Sequence, residues 1–205
     1  MKKFELATEF TKEFFGKTLF RVRALISFGA VSHGDLGGWV EKEENLDQSG
    51  DAWVYDDARV SGNARVSGNA RVSGNARVSG NARVSGNARV SGNAWVYGDA
   101  QVYGNARVYG NAQVSGDARV YDDAQVYGDA HLITISPIGS EGGFLTAFRQ
   151  KDNSIMVRRG CFSGTIDEFS AAVAKRHGDT RYATEYGIVI ELIKARLREV
   201  EVSDE

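Results

Sequence analysis

Arginine recurs at every sixth residue along the middle of the chain, and this row is the most regular feature that could do chemistry. Its members are Arg59, Arg65, Arg71, Arg77, Arg83 and Arg89. No Asp or Glu lies between Arg59 and Gly98, although Asp is frequent on both sides of that segment. Guanidinium groups without neighbouring carboxylates could bind a phosphate, another anionic ligand or an acidic protein surface. They could also form a solvated face that keeps strand-rich surfaces apart, and the pattern leaves both interpretations open.

The single cysteine and the histidines are the other side chains with chemical potential. Cys161 and His177 could act as a nucleophile and its base, but no third orienting group is evident. A lone Cys between Gly and Phe is more often a small core residue. One Cys and three scattered histidines, His33, His131 and His177, lack the spacing of metal ligands, so we predict no metal site. We also predict no catalytic residue and no cofactor. The Gly139–Gly143 turn could cradle an anion, although a plain loop is the simpler interpretation.

Length and composition narrow the class of protein. The chain has 205 residues, enough for one domain with a good core or two small ones. Its net charge of −2 gives no general attraction to nucleic acid or to a membrane surface. No segment resembles a signal peptide or reaches the length of a membrane-spanning helix. Together with the single cysteine, this predicts a protein of a reducing, cytoplasmic compartment.

A six-residue repeat, A-R-V-S-G-N, sets the architecture of the middle of the chain. Ala recurs from Ala52 to Ala130 and Val recurs from Val54 to Val126 at the same interval. The alternation of Ala and Val with Arg and Ser predicts a short strand with one buried face. Gly-Asn then tolerates a positive φ and allows a sharp corner. Three units therefore close a triangular coil, and the repeat spans Gln48 to His131, with Gln48 in the first Val place.

This pattern resembles the hexapeptide-repeat family, which forms left-handed parallel β-helices. In that family an aliphatic residue and a small residue two places earlier point inward, as Val60 and Ala58 would here. The left hand is implied by the resemblance, since the general rule for parallel crossovers favours the right hand. The resemblance covers about residues 19–131, and "GGWVEKEENL" leading into "GDAWVYDDA" is its most specific part. It points to a branch that includes phage and prophage proteins and also uncharacterised proteins labelled as acyltransferases.

Both ends of the β-helix would expose unpaired strand edges, so two covers are expected. We predict a mainly β fold in three parts: an N-terminal β cap (1–47), the β-helix (48–131) and a small C-terminal α+β module (132–205). In the cap, "LFRVRALISFG" alternates like a strand, and the apolar pair of Trp39 and Val40 lies in a turn-rich segment.

The C-terminal module is predicted to hold at least two strands and two helices. Strands flank a hairpin turn at Lys151–Asn153. Thr165 and Glu168 form a capping box that opens the first helix, which ends at His177 and Gly178. The second helix is predicted over about Tyr182–Val200. The predicted apolar faces are Ile166, Phe169 and Val173 on the first helix and Tyr186, Ile190, Ile193 and Leu197 on the second.

Aromatic residues replace the standard residues in the later repeats. They are Trp95, Tyr97, Tyr103, Tyr109, Tyr121 and Tyr127. The register of three units per coil stacks Tyr103 on Tyr121 and Tyr109 on Tyr127. Such rows could be an interface with a protein partner or with further copies of the chain. They could also be cross-strand pairs that stiffen a sheet. A homo-oligomer, a trimer or a dimer, is expected, and the trimer is what the resemblance implies.

The patterns favour a non-catalytic scaffold or binding protein, whose β-helix presents the C-terminal module to a host protein or an anionic ligand. The resemblance implies that it is of phage or prophage type. Interference with a host defence is one hypothesis, motivated by the phage-like resemblance and the arginine row. Nucleic acid is disfavoured, because the row wraps all three faces and lacks interleaved aromatic residues. The alternative is an acyltransferase that uses acyl-CoA. That family's histidine base lies on a loop interrupting the coils, and no histidine takes such a place here.

Overall fold

Each hexapeptide folds into a two-residue strand and a sharp corner, and the repeats stack into a β-solenoid. The computed structural model describes residues 2–128 and 130–197. In one repeat, Ala70 and Val72 are completely buried while Arg71 between them is exposed. This is the alternation expected of a strand with one face in the core. Gly74 then turns the chain with a φ of 65°, a conformation that glycine adopts without steric cost.

The elements run in chain order from a hairpin, through the solenoid, to an α+β module. The N-terminal strands are β1 (Phe4–Phe14), β2 (Lys17–Ala24) and β3 (Leu36–Val40). The two-residue strands are β4 (Trp53–Val54), β5 (Arg59–Val60), β6 (Arg65–Val66), β7 (Arg71–Val72), β8 (Arg77–Val78), β9 (Arg83–Val84), β10 (Arg89–Val90), β11 (Trp95–Val96), β12 (Gln101–Val102), β13 (Arg107–Val108), β14 (Gln113–Val114), β15 (Arg119–Val120) and β16 (Gln125–Val126). The module contains β17 (Leu132–Ile138), β18 (Gly143–Arg149), β19 (Ile155–Arg159), β20 (Phe162–Thr165), α1 (Ile166–His177) and α2 (Arg181–Arg196).

Parallel pairing of these strands makes the three faces of the solenoid. Arg71 pairs with Arg89 and Val72 with Val90, so each strand stacks on its copy one coil, or three hexapeptides, away. We call the faces the hairpin face (β3, β5, β8, β11 and β14), the open face (β4, β7, β10, β13 and β16) and the third face (β6, β9, β12 and β15). This confirms the predicted mainly β fold with three repeats per coil. The left-handed sense stays a prediction of the family resemblance.

Asparagine side chains tie the corners of successive coils together. The Asn69 Nδ2 donates to the Asn87 Oδ1 at 3.1 Å, and the Asn87 Nδ2 donates to the Asn105 Oδ1 at 3.1 Å. The ladder ends on a carboxylate, since the Asn105 Nδ2 donates to the Asp123 Oδ1 at 3.2 Å. These asparagine ladders run parallel to the solenoid axis, like those of other stacked sheets.

The first coil of the solenoid lies inside the segment predicted as the cap. β3 pairs in parallel with β5, so that Trp39 lies beside Arg59. Leu46 bridges to Val66, which places Leu46 rather than Gln48 in the stack of aliphatic residues. The Gln48 side chain instead accepts the backbone N–H of Lys3 at 2.8 Å. The hairpin of β1 and β2 extends the hairpin face beyond this coil and covers its edge. The patterns predicted β2 but not β1.

The C-terminal module is a four-stranded antiparallel sheet, in the order β17-β18-β19-β20, with two helices. The capping box is confirmed: the Glu168 N–H donates to the Thr165 Oγ1, and the Thr165 N–H donates to the Glu168 carboxylate. The predicted apolar residues of both helices are buried. The predicted end of the second helix, 198–200, lies outside the described residues. β20 is a strand that the patterns did not anticipate as a separate element.

The module closes the last coil of the solenoid. Phe148 on β18 is completely buried and belongs to the same hydrophobic core as Val126 on β16. Tyr121 is 5% exposed, and its hydroxyl shares a hydrogen bond with the Ser163 hydroxyl on β20. Solenoid and module therefore share one continuous apolar core at their junction.

Candidate functional site

The structure distributes the predicted arginine row over all three faces, two residues to each. Arg59 pairs with Arg77 on the hairpin face, Arg65 with Arg83 on the third face and Arg71 with Arg89 on the open face. The row on the open face is longer than predicted, because Arg107 pairs with Arg89. Arg107 occupies the same position in its repeat as the six predicted arginines, so the repeat pattern could have identified it.

On the hairpin face the two arginines lie beneath an aromatic ring. The Phe14 ring lies over both guanidinium groups, with its centroid 4.5 Å from the Arg59 Cζ and 5.2 Å from the Arg77 Cζ. Both side chains are half-buried, and the Arg59 Nε is buried without a hydrogen-bond partner. A guanidinium over an aromatic face is stabilised by the ring quadrupole. Arg59 and Arg77 are therefore partly covered by the hairpin, which the pattern of the repeats alone did not indicate.

On the third face the arginines share a cleft with carboxylates. Arg65 and Arg83 line a cleft of about 600 Å³ together with Glu43, Glu44 and Asp47. These acidic residues precede the repeats, and the first coil carries them to the edge of this face. The absence of Asp and Glu from the repeats thus does not make the folded surface free of negative charge. Nearby carboxylates reduce the attraction of this face for an anion.

The open face keeps its arginines free of such partners. Arg71, Arg89 and Arg107 are exposed, and none takes part in an ion pair or side-chain hydrogen bond among the described residues. Their backbones are about 4.8 Å apart along the row, the spacing of neighbouring strands. Three like charges at this spacing repel one another, and an anion laid along the row would relieve that repulsion.

The predicted aromatic stacks are present. The Tyr103 and Tyr121 rings are stacked, with centroids 5.3 Å apart, and the Tyr109 and Tyr127 centroids are 3.5 Å apart. Burial raises the pKa of the Tyr103 hydroxyl. Tyr121, however, is buried beneath the chain's own module and is not available to another protein. The Trp95 and Tyr97 rings are 4.4 Å apart and half-buried. An interface role for the aromatic residues other than Tyr121 stays a prediction.

A cleft of about 360 Å³ lies in the C-terminal module, and it brings Cys161 and His177 to one place. Cys161 is exposed, so its interpretation as a small core residue is wrong. No hydrogen bond joins the two side chains in the described part of the chain. The cleft also contains charged residues that the sequence patterns did not single out, namely Glu141, Arg159 and Arg176.

Within the described residues, the glycine turn and the histidines other than His177 are not gathered into a second site. The Gly139 N–H donates to the Glu185 Oε1 at 3.2 Å, so the chain's own carboxylate already occupies part of the Gly139–Gly143 turn. The His131 Nδ1 accepts the Tyr127 N–H at 3.2 Å at the end of the solenoid. His33 lies in the loop between β2 and β3, far along the chain from His131 and His177. The three histidines thus occupy the cap, the junction and the module.

Residues 2–128 and 130–197 contain neither a cluster of metal-binding side chains nor a helix suited to span a membrane. No group of three or more His, Cys, Asp or Glu side chains in these ranges could hold a metal ion. In the same ranges, no helix combines the length and the apolar character needed to cross a membrane.

The stacked coils, closed by a hairpin at one end and a module at the other, define a β-solenoid repeat protein. A family model described as the YdcK β-solenoid repeat matches the chain at several overlapping places. The matched residues are 52–68, 58–74, 64–80, 70–84, 82–98, 100–116 and 112–128. All lie within the solenoid, so this similarity supports a repeat β-helix family and leaves the hairpin and the module undescribed. No curated protein shows significant similarity to the chain.

Proposed function

We propose that this chain is a non-catalytic binding protein of phage or prophage type, in which the solenoid is a rigid stem and the C-terminal module makes the specific contact. The observation that carries this proposal is the junction. Tyr121 and Phe148 are buried against each other, and the Tyr121 hydroxyl is hydrogen-bonded to Ser163. A module joined through a shared core keeps a fixed position on its stem, whereas a module on a linker would not.

The stem role follows from the sameness of the coils. Identical hexapeptides present identical side chains, so they add length without adding distinct chemical groups. Their stability comes from contacts between neighbouring coils, so whole coils can be added or removed. The open face, with Arg71, Arg89 and Arg107, would contact an acidic surface of the same partner or an anionic ligand.

Phage or prophage origin is proposed from the resemblance of residues 19–131 to that branch of the hexapeptide-repeat family, and interference with a host defence remains a hypothesis on the same basis. A cytoplasmic location fits the exposed thiol of Cys161, which would be exposed to oxidation in an oxidising compartment. We also propose a homo-oligomer, in which the aromatic residues Trp95, Tyr97, Tyr109 and Tyr127 contact a second copy. Light scattering on the purified chain measures the oligomer directly.

The experiment that tests the stem inserts or deletes repeats. Three added RVSGNA units lengthen the solenoid by one coil and keep the module on the same side, whereas one added unit also rotates the module by a third of a turn. Each variant is immobilised and used to capture proteins from a host lysate, after circular dichroism has confirmed its fold. A partner held by the module alone should be captured equally by all variants.

Loss of capture has two different meanings in that experiment, and a separate assay tests the alternative function. Capture lost only with the single-unit insertion means that the partner contacts both the module and a solenoid face. Capture lost with every insertion, including the folded three-unit variant, contradicts the stem. Turnover of an acyl-CoA by the unmodified chain, abolished by His131→Ala, would favour the acyltransferase alternative.

A further inference from the structure

The cleft of the C-terminal module has the dimensions and the lining of a small-molecule site. Its volume, about 360 Å³, falls in the lower part of the range found for ligand pockets, roughly 300–1,000 Å³. It lies between the β19–β20 hairpin, the turn after β17 and the two helices. Such pockets combine an apolar wall with a few polar groups that fix the orientation of the ligand, and the cleft has both.

Positive charge dominates the polar part of the cleft. Arg159 and Arg176 both approach the carboxylate of Glu141, at 3.9 and 3.5 Å. Two guanidinium groups thus share one carboxylate. Glu141 is itself 67% exposed, so water weakens both ion pairs. The arrangement leaves an excess of positive charge that a second anion could neutralise.

Arg159 is held in place and incompletely satisfied. Its side chain is only 11% exposed, and its Nη2 donates to the Ile138 carbonyl oxygen at 3.0 Å. Its Nε is buried without a hydrogen-bond partner in the described residues. Gly143 makes room for this side chain, because a Cβ there would lie 2.5 Å from the Arg159 Nη1. Among the described residues, the Nη1 has only a long ion pair with Glu141, at 3.9 Å, and a closer anion would satisfy this nearly buried guanidinium better.

Aromatic rings form the apolar part of the lining. The centroids of Phe162 and Phe169 are 5.2 Å apart, and those of Phe169 and Tyr186 are 5.5 Å apart. The His177 ring continues the series, 5.6 Å from Tyr186 and tilted by 33°. Phe169 and Tyr186 are buried, whereas Phe162 and His177 are partly exposed and offer the surfaces on which another flat ring can stack.

We propose that this cleft binds a small organic anion in which a planar ring carries a phosphate or carboxylate group. The anion takes the place of the Glu141 carboxylate between Arg159 and Arg176, and the ring lies against the partly exposed rings of Phe162 and His177. The site goes beyond the stem-and-module function and does not depend on which macromolecule the module contacts. A nucleoside monophosphate and an aromatic carboxylate share this chemistry.

The test uses the full chain and four probes, with binding measured by calorimetry. Adenosine monophosphate and benzoate represent the two sources, while adenosine and inorganic phosphate each carry one half of the chemistry. At least one of the first two should bind more tightly than both half-probes. Binding should also protect Cys161 from a thiol reagent, and because the chain has a single cysteine this readout reports on the cleft alone. The probe that binds identifies the source.

Two variants give opposite expectations. Arg176→Gln should weaken binding about tenfold, because one charge-assisted contact is lost. Glu141→Gln should strengthen binding several-fold, because it removes the competing carboxylate. Lys175→Gln is the matched control: it removes the same charge from the neighbouring position of α1, outside the cleft. Arg159 is left unchanged, since its bond to Ile138 supports the fold.

Three results would overturn the proposal. The first is that neither adenosine monophosphate nor benzoate binds at millimolar concentration or protects Cys161. The second is that a half-probe binds as tightly as the complete probe. Equal binding of inorganic phosphate would show that no ring is required, and equal binding of adenosine would show that no anion is required. The third is that Arg176→Gln and Lys175→Gln weaken binding equally, which indicates attraction by net charge and no defined site.

Discussion

The Tyr121 ring meets Phe148 edge-on, with centroids 5.3 Å apart and planes at 79°. Tyr121 belongs to the last coils of the solenoid and Phe148 to the module, so this contact joins the two parts of the chain. The Tyr103 ring stacks on the Tyr121 ring, with centroids 5.3 Å apart. The aromatic row that begins on the solenoid surface therefore ends as the platform on which the module rests.

This contact should be essential for the stability of the junction. Tyr121→Ala should lower the free energy of unfolding by about 3–5 kcal/mol, as for other buried aromatic residues. Tyr121→Phe keeps the ring and loses the hydrogen bond to Ser163, which should cost only about 1 kcal/mol. Urea denaturation measures both. Equal losses for the two variants would mean that the hydrogen bond, and not ring packing, holds the junction.

The hairpin should stabilise the solenoid through Phe14. Phe14→Ala removes the ring over Arg59 and Arg77 and should lower stability by about 1 kcal/mol. Phe15 is the neighbouring control, since it is 82% exposed and its loss should cost less. Thermal denaturation of both variants checks this ranking. If Phe15→Ala is the more damaging change, the ring over the arginines contributes little.

The asparagine ladders should be sensitive to the direction of their hydrogen bonds. Asn87→Asp removes the donor to Asn105 and sets two oxygens against each other, so it should lower stability by about 1 kcal/mol. Asp99→Asn is the reverse change at a position that only accepts, from Asn81, and it should cost nothing. Comparison of the two melting temperatures is the measurement. Similar losses would contradict this account, because only Asn87→Asp removes a hydrogen-bond donor from a ladder.

The capping box of α1 should give a stability contribution that depends on pH. The backbone N–H of Thr165, and then its hydroxyl, hydrogen-bond to Glu168 and hold the pKa of that carboxyl below its ordinary value of 4.5. A depressed pKa in the folded state stabilises the protein above the unfolded value, and the contribution disappears as the pH falls through the folded value. The difference in melting temperature between the native chain and Glu168→Gln should therefore be larger at pH 7 than near pH 3. A difference that does not change with pH would contradict this origin.

The solenoid itself was determined by the sequence, because its strands depend on contacts between residues at a constant interval. Ala70 and Val72 are buried and Gly74 turns the chain for reasons that each hexapeptide contains within itself. The capping box at Thr165 and Glu168 was predictable for the same reason, since its partners are three residues apart. Such local rules repeat along the chain, and the register of one coil sets that of the next.

The tertiary structure alone decided which charges remain free and where a cleft forms. The covering of Arg59 by Phe14 and the approach of Glu43 to the cleft of Arg65 join residues far apart in sequence, with no shared period. Arg159 and Arg176 meet Glu141 for the same kind of reason, because a sheet and a helix bring them together. A repeat pattern describes each residue's distance from its own copies. It does not describe which distant segment folds over them. That packing separates the exposed arginines of the open face from the arginines of the other two faces, and it builds the cleft of the module.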